Sequence, residues 1–342
     1  MSKRKLIFLI CLFVALSGGI IFYYLYQTLY GKTYSLKETT YLYIDEKKDF
    51  NNLCAQLSKI TSPQNLKTFQ WLAEYLNYPE NMRTGKYSVK NGMSQMGLLN
   101  TLRSGHQTAV RLIFNNIRFK TDLAKRLGEQ LMIGEQPILA LLNDSTYCDS
   151  LGFNTETINI MFIPNTYEIY WNISADGLFR RMKKEYDVFW TQKRQEKAQG
   201  IGLTPVEVGI LASIVEEETS VADEYPVVAG LYINRLQHGM LLQADPTVKY
   251  AVGDFSLQRI LYEHLEVDSP YNTYKYTGLP PGPLRTPSIR VINAVLNHTK
   301  HRYLYMCAKE DFSGRHNFAI TLTEHNRNAK RYQSELNRRK IR

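Results

Sequence analysis

The sequence predicts an α+β protein built as a single N-terminal transmembrane helix, a small α+β module and a larger α+β domain. Three observations carry this reading. After the basic SKRK comes LIFLICLFVALSGGIIFYYLY, residues 6–26, with no Lys, Arg, Asp, Glu or His, and about 20 apolar residues are enough to cross the bilayer core. Beyond it, short aromatic or β-branched runs alternate with segments whose apolar residues recur at helical spacing. The 342 residues, 44% hydrophobic and 22% charged, have an ordinary folded composition with room for two cores.

For the first element the alternative is a cleaved signal peptide, with Ala15, Leu16 and Ser17 as its small-residue site. Hydrophobicity continues past Ser17, however, and closes on Phe22, Tyr23, Tyr24 and Tyr26, as an interfacial aromatic belt does. An uncleaved anchor over 6–26 is therefore expected. Lys3, Arg4 and Lys5 then keep residues 1–5 cytoplasmic and place the remainder outside the membrane.

The balance of 42 Lys+Arg against 32 Asp+Glu gives a net charge of +10. Such an excess suits nucleic acid, an anionic membrane surface or an anionic polymer alike. No recognition helix, zinc-finger spacing or RNA-binding signature accompanies it, so nucleic acid is not an expected partner. Cys11, Cys54, Cys148 and Cys307 follow no metal or redox spacing and read as packing residues; no cofactor is expected.

Residues 32–107 read as the small module. YLYI, ending at Ile44, and GKYSV, ending at Val89, are strands; NNLCAQLSKI, NLKTFQWLAEYL and SQMGLLNTLRSG are helices, the last closing on Gly105. Residues 108–342 read as the larger domain. It opens with the strand VRLIF and the helix TDLAKRLGEQL, capped by Thr121 or Asp122. MFIPNTYEIYW follows, dense in rings that either pack in a core or offer faces on which sugars stack. LFRRMKKEYDVFW is an amphipathic helix with a basic face, and the closing RYQSELNRRKIR is a helix that frays.

Thr204, Pro205 and Glu207 form a strong helix start, with Thr204 as cap and Glu207 completing a capping box. The helix is expected from Pro205 to about Val221. At roughly 100° per residue, Val208, Leu211, Ile214, Val215 and Ala222 share one stripe, and Glu218 falls near its middle. Glu216 and Glu217 lie roughly 140° and 240° round from Leu211, so Glu217 is read as solvated and Glu216 as at most a support. A carboxyl on the core side is desolvated and its pKa raised, as a general acid requires. The alternative is a structural ion pair with Arg235. Downstream, Gln243, Asp245 and Thr247 crowd polar groups around Pro246, and Tyr271, Asn272, Thr273 and Tyr274 lead into the Gly278 to Gly282 run, GLPPG, a stiff loop.

The runs LASIVEEET, VAGLYINRL, GMLLQADPTVKYA, YNTYKYTGLPPGPL and HNFAITLTEHN resemble, in order, the endolytic murein transglycosylases, membrane-anchored YceG-like lytic transglycosylases of type G. The resemblance implies a LysM-like, peptidoglycan-binding module over 32–107 and a catalytic domain over 108–342. It implies cleavage of the MurNAc to GlcNAc β-1,4 bond of nascent strands without water, leaving 1,6-anhydro-MurNAc ends. Glu218, the glutamate directly before Thr, corresponds to the family's single catalytic acid, which then serves as base. Glu216, Asn234, Arg235, Gln243, Asp245, Thr247, Tyr271, Asn272, Thr273, Tyr274, Gly278 and His316 are the implied supporting or substrate-binding set. Peptidoglycan strands, the inner membrane and peptidoglycan synthases are the implied partners, with the catalytic domain periplasmic or extracytoplasmic.

The chain departs from the family pattern at Asn165, where an acid is usual, at Asn115 and Asn116, where a Glu-Gly turn is expected, and at Thr286, Pro287 and Ser288. Three other readings stand beside it. A metal hydrolase would use His298, His301, His316 and His325, although their spacing is no zincin signature. A hydrolytic muramidase would pair Glu218 with Asp245. A non-enzymatic scaffold would use the anchor, charge and aromatics alone.

Overall fold

The computed structural model describes residues 3–257 and 259–339. Two compact units emerge: one comprises Met1–Leu112, Gln130–Met132 and Tyr167–Ile173, the other Ile113–Glu129, Ile133–Thr166 and Ser174–Arg342.

In the first unit, helix α1 (Lys3–Tyr30) is, among the described residues, the one unbroken helix long and apolar enough to cross a membrane, and none of its residues is buried. At about 1.5 Å per residue it exceeds the roughly 30 Å of bilayer hydrocarbon. Its polar side chains do not interrupt it, because Ser17 and Thr28 donate their hydroxyls back to carbonyls one turn earlier.

Strand β1 (Thr40–Ile44), helices α2 (Phe50–Leu57) and α3 (Pro63–Tyr75), strand β2 (Gly85–Val89) and helix α4 (Gln95–Ser104) follow. β1 and β2 pair antiparallel with Leu42 opposite Tyr87. Alternation sends Leu42 and Ile44 inward and leaves Tyr41 and Tyr43 exposed. Asp49, Ser62 and Ser94 cap the three helices with their side chains, and Gly105 ends α4 in the left-handed region at φ 73°. The core gathers Leu53, Leu57, Phe69, Leu72, Tyr87 and Leu98.

Strand β3 (Val110–Phe114) follows and pairs with β4 (Asn165–Ile169). Between them lie α5 (Lys120–Gly128), α6 (Glu135–Asn143) and α7 (Ser145–Ser150). Helix α5 starts at Lys120, ahead of the expected caps, with Phe119 in the cap position and no side-chain cap. Phe119 is instead fixed by ring contacts with Tyr250 and Phe255; Asp122 remains in the first turn, where its charge suits the helix dipole. Within the aromatic segment Met161, Phe162, Ile163, Tyr167 and Ile169 are buried, whereas Tyr170 is 57% exposed and Trp171 half-buried.

Helices α8 (Ala175–Phe189) and α9 (Gln192–Gly200) lead to α10 (Pro205–Glu218), α11 (Tyr225–Gln237), α12 (Asp245–Val252), α13 (Tyr262–Leu265) and α14 (Ile289–Leu296). The basic face of α8 is laced with acids, Arg180 on Asp176, Arg181 on Glu185 and Lys183 on Asp187. An antiparallel hairpin of β5 (Tyr305–Ala308) and β6 (His316–Ala319) packs under α15 (Leu322–Arg338).

Helix α10 is the core of this unit. It packs on α9, α11, α12 and α14, and every residue from Val208 to Val215 is buried. The expected single stripe is thus a helix buried all round. Gly209 permits this, because a Cβ there would stand 2.7 Å from Ile160 Cγ2. The capping box of Thr204 and Glu207 is present. The helix ends at Glu218, not near Val221: Thr219 turns extended (φ −142°, ψ 143°) and its hydroxyl accepts the Val221 N–H. Ala222 therefore lies outside the helix.

Candidate active site

Glu218 is the last residue of α10 and lines a cavity of about 280 Å³. The Tyr232 hydroxyl, buried on α11, donates to Glu218 Oε1 at 2.6 Å. Burial pushes the Glu218 carboxyl up to about 7; the Tyr232 bond opposes this, the charge of Asp245 adds to it, and Arg235 and Lys249 pull it back. A carboxyl so placed is close to half protonated at neutral pH, which lets it give and take a proton.

Arg235 lies one turn beyond Tyr232 on the same helix face, buried and also lining the cavity. It donates to the carbonyls of Leu304 (2.6 Å), Leu241 (3.0 Å) and Leu242 (2.9 Å) and to Gln243 Oε1 (3.1 Å). It forms no ion pair with Glu218 among the described residues, so a structural pair between them is not what the fold builds.

Gln243 holds φ at 51°, a conformation that strains a side-chain-bearing residue, and its N–H donates to the Thr273 carbonyl. Asp245 opens α12 and accepts the Tyr274 hydroxyl at 2.6 Å. Thr247 and Thr273 share a hydroxyl contact of 2.8 Å, and Thr273 Oγ1 accepts the Ala244 N–H. Asn272 donates to the carbonyls of Leu265 and Val267, both at 2.8 Å. These three buried residues fix the loops that present Gln243, Asp245 and Tyr274.

From β6, His316 adds its ring to the cavity wall, with Nδ1 2.8 Å from Glu224 Oε2. The cavity thus gathers Glu218, Arg235, Gln243, Asp245, Tyr274 and His316 from the expected set. The others lie elsewhere. Asn234 donates to the carbonyls of His301 and Tyr303. Tyr271 donates to Glu156 and packs on Tyr250, and Gly278 supplies a left-handed turn at φ 85°. The remaining histidines disperse: His298 and His301 contact the carbonyls of Val295 and Val227, and His325 stacks on Tyr305.

Glu217, expected to be solvated, is half-buried and ion-paired, and Glu216, expected at most to support, is half-buried beside it. Glu216 accepts from Asn116 Nδ2 and the Ser288 N–H, both at 3.0 Å. Both Glu217 oxygens accept from Arg118 Nη2 at 2.7 Å and Oε1 accepts from Arg285 Nη1 at 2.7 Å, with the side chain only 19% exposed. The wheel misses the partners of Glu217 because Arg118 and Arg285 come from segments far away in sequence.

Tyr232, Glu224 and Cys307 escaped the sequence reading. Tyr232 carried a usable signal: it precedes Arg235 by three, hence shares its face, and a buried Tyr hydroxyl needs a partner. Cys307, read as packing, is half-buried on the cavity wall.

The chain resembles known proteins along most of its length. It is 29% identical over 332 residues to the endolytic murein transglycosylase of Bacillus subtilis, with 90% of this chain and 91% of that protein aligned. It is 25% identical to the endolytic murein transglycosylase of Streptococcus pneumoniae, with 96% of this chain but 65% of that protein aligned. The crystal structure of a yceG-like protein from Listeria monocytogenes superposes with a TM-score of 0.54 and 26% identity, covering 85% of this chain and 99% of that one. The profile of the YceG-like family matches residues 42–331, and with that span the chain belongs to the YceG-like family.

Proposed function

We propose that the protein is a membrane-tethered lyase of peptidoglycan, an endolytic transglycosylase that cuts the MurNAc to GlcNAc β-1,4 bond of nascent strands without water. The observation that carries this is a carboxyl brought to about 7 by burial, hydrogen-bonded by Tyr232 and opening on a cavity. The names of the relatives support the same reaction.

In this reading protonated Glu218 gives its proton to the glycosidic oxygen as the C1–O4 bond breaks. The MurNAc acetamido oxygen holds C1 meanwhile, in the manner of substrate-assisted glycosidases. The C6 hydroxyl oxygen then bonds to C1 and displaces the acetamido oxygen. Its proton passes to the Glu218 carboxylate, which restores the acid and leaves a 1,6-anhydro end. Arg235, 6% exposed and without a carboxylate partner among the described residues, steadies Glu218 while it is ionised. Helix α1 serves as the anchor, with its basic end cytoplasmic and the remainder extracytoplasmic, where it works beside peptidoglycan synthases.

Digestion of purified murein by the full-length protein in detergent, with mass spectrometry of the products, tests this. Anhydro-muropeptides from the wild type and none from Glu218→Gln are expected. Reducing MurNAc ends would mean a hydrolase using Asp245 as partner, and no cleavage by folded wild type would leave only a scaffold.

A further inference from the structure

The hairpin of β5 and β6 leaves one edge unspent beside Glu218. The Lys309 N–H donates to the Arg315 carbonyl at 2.8 Å, and the pairing of Cys307 with Asn317 and Tyr305 with Ala319 continues that register. In an antiparallel ladder such hydrogen-bonded pairs alternate with pairs whose backbone groups point outward. Ala308 opposite His316 and Met306 opposite Phe318 are therefore the outward pairs. The β6 side agrees, since the His316 N–H leaves the hairpin to meet Glu224 Oε1 at 2.9 Å. On the β5 side nothing comparable occurs: among the described residues, the N–H and C=O of Met306 and of Ala308 have no partner.

This edge borders the cavity. Met306, Cys307 and Ala308 line it in succession, whereas side chains alone would reach it only from alternate residues. Just before the strand, Arg235 Nε, from the same cavity wall, donates to the Leu304 carbonyl at 2.6 Å. None of the β5 residues is fully buried. Elsewhere on the wall the polar groups are largely spent, with the Tyr232 and Tyr274 hydroxyls on Glu218 and Asp245 and Arg235 turned onto carbonyls.

The unspent groups repeat over two residues, about 7 Å of strand. An extended peptide adds to such an edge through main-chain hydrogen bonds. The sugar whose C1–O4 bond meets Glu218 is MurNAc, which carries its stem peptide on the lactyl ether at C3. A stem attached there starts beside Glu218 and brings the amide groups that complement the edge. We propose that the outer edge of β5, at Met306 and Ala308, binds the peptide stem of the MurNAc residue held against Glu218 as an added strand. The enzyme then selects strands that carry stems over denuded ones. This rests on the reading that a glycan occupies the cavity.

The test uses full-length protein in detergent carrying Glu218→Gln, titrated calorimetrically with uncrosslinked murein strands bearing their stems and with the same strands stripped by an amidase. The stem-bearing strands are expected to bind about tenfold tighter. Adding Ala308→Pro removes an outward N–H without removing a bond to β6 and is expected to cut that preference below about threefold. Ala308→Val, of similar bulk with its N–H kept, is expected to retain it. Met306→Pro replaces Ala308→Pro if circular dichroism shows the latter unfolded. Equal affinity of the parent for the two strands overturns the proposal and leaves glycan binding standing; an equal loss of preference in the proline and valine variants also overturns it. Binding of neither strand by the folded parent overturns the glycan reading and the proposal together. Self-association of the parent in sedimentation, abolished by Ala308→Pro, would give the edge to a second copy and overturn the proposal as well.

Discussion

At the residue scale the decisive pair is Glu218 and Tyr232. Desolvation raises the carboxyl's pKa and the phenol bond lowers it, so a value near 7 is a compromise between them. An acid must be protonated to act, so activity should be held below about pH 7 and fall as pH rises through that value. Tyr232→Phe removes the lowering contribution without removing burial. Its alkaline limb should therefore move to higher pH by about half a unit to one unit, with a kcat lower by about tenfold, since each tenfold corresponds to about 1.4 kcal/mol of barrier. A pH–rate profile with its alkaline limb unmoved, or moved to lower pH, would show that the phenol does not stabilise the ionised acid.

At the element scale, the last turn of α10 is held by partners far away in sequence. Arg118 precedes Glu217 by 99 residues and Arg285 follows it by 68. Arg118 also lies over the Phe255 ring, and Arg285 donates to the Asn116 carbonyl. Helix termini fray, and three anchored neighbours of Glu218 oppose that: Glu216, Glu217 and Thr219 each bond to another segment. Removing Glu217 strands two guanidiniums, whereas removing either arginine leaves the other paired. Glu217→Ala should thus cost roughly 2–3 kcal/mol and either Arg→Ala roughly 1. Urea denaturation of the three variants checks the order, and an arginine variant costing as much as Glu217→Ala would sink it. The same feature explains what the sequence reading could reach. β2, β3 and the start of α10 were legible because strand alternation and the capping box are local patterns. The surroundings of Glu216 and Glu217 were not, because burial of α10 on all sides is set by helices that pack from elsewhere in the chain.

At the scale of the whole molecule, the first compact unit is discontinuous, and this has a consequence for how the chain can be cut. It recruits Gln130–Met132 and Tyr167–Ile173 from later in the sequence. Within it the Trp171 ring meets Tyr43 edge-on at 5.0 Å, and Asn172 donates to the Thr84 carbonyl and hydroxyl at 3.1 and 2.9 Å. The Met132 N–H closes on the Trp171 carbonyl at 2.9 Å. A chain beginning at residue 108 keeps Trp171, Asn172, Tyr167 and Ile169 but loses Tyr43 and Thr84. Trp171 then loses the ring it packs on and Asn172 its two acceptors, which turns apolar and polar groups that were paired in the intact protein out to water and removes a reason to fold. A chain beginning at residue 32 loses only α1 and the turn after it. Residues 108–342 should therefore melt at least about 5 °C below residues 32–342 and bind more of a hydrophobic dye. Differential scanning calorimetry of the two, with dye fluorescence alongside, distinguishes this from the alternative in which the transition near residue 108 is a clean boundary: equal melting of the later part in both chains would mean that the recruited segments contribute nothing to its stability.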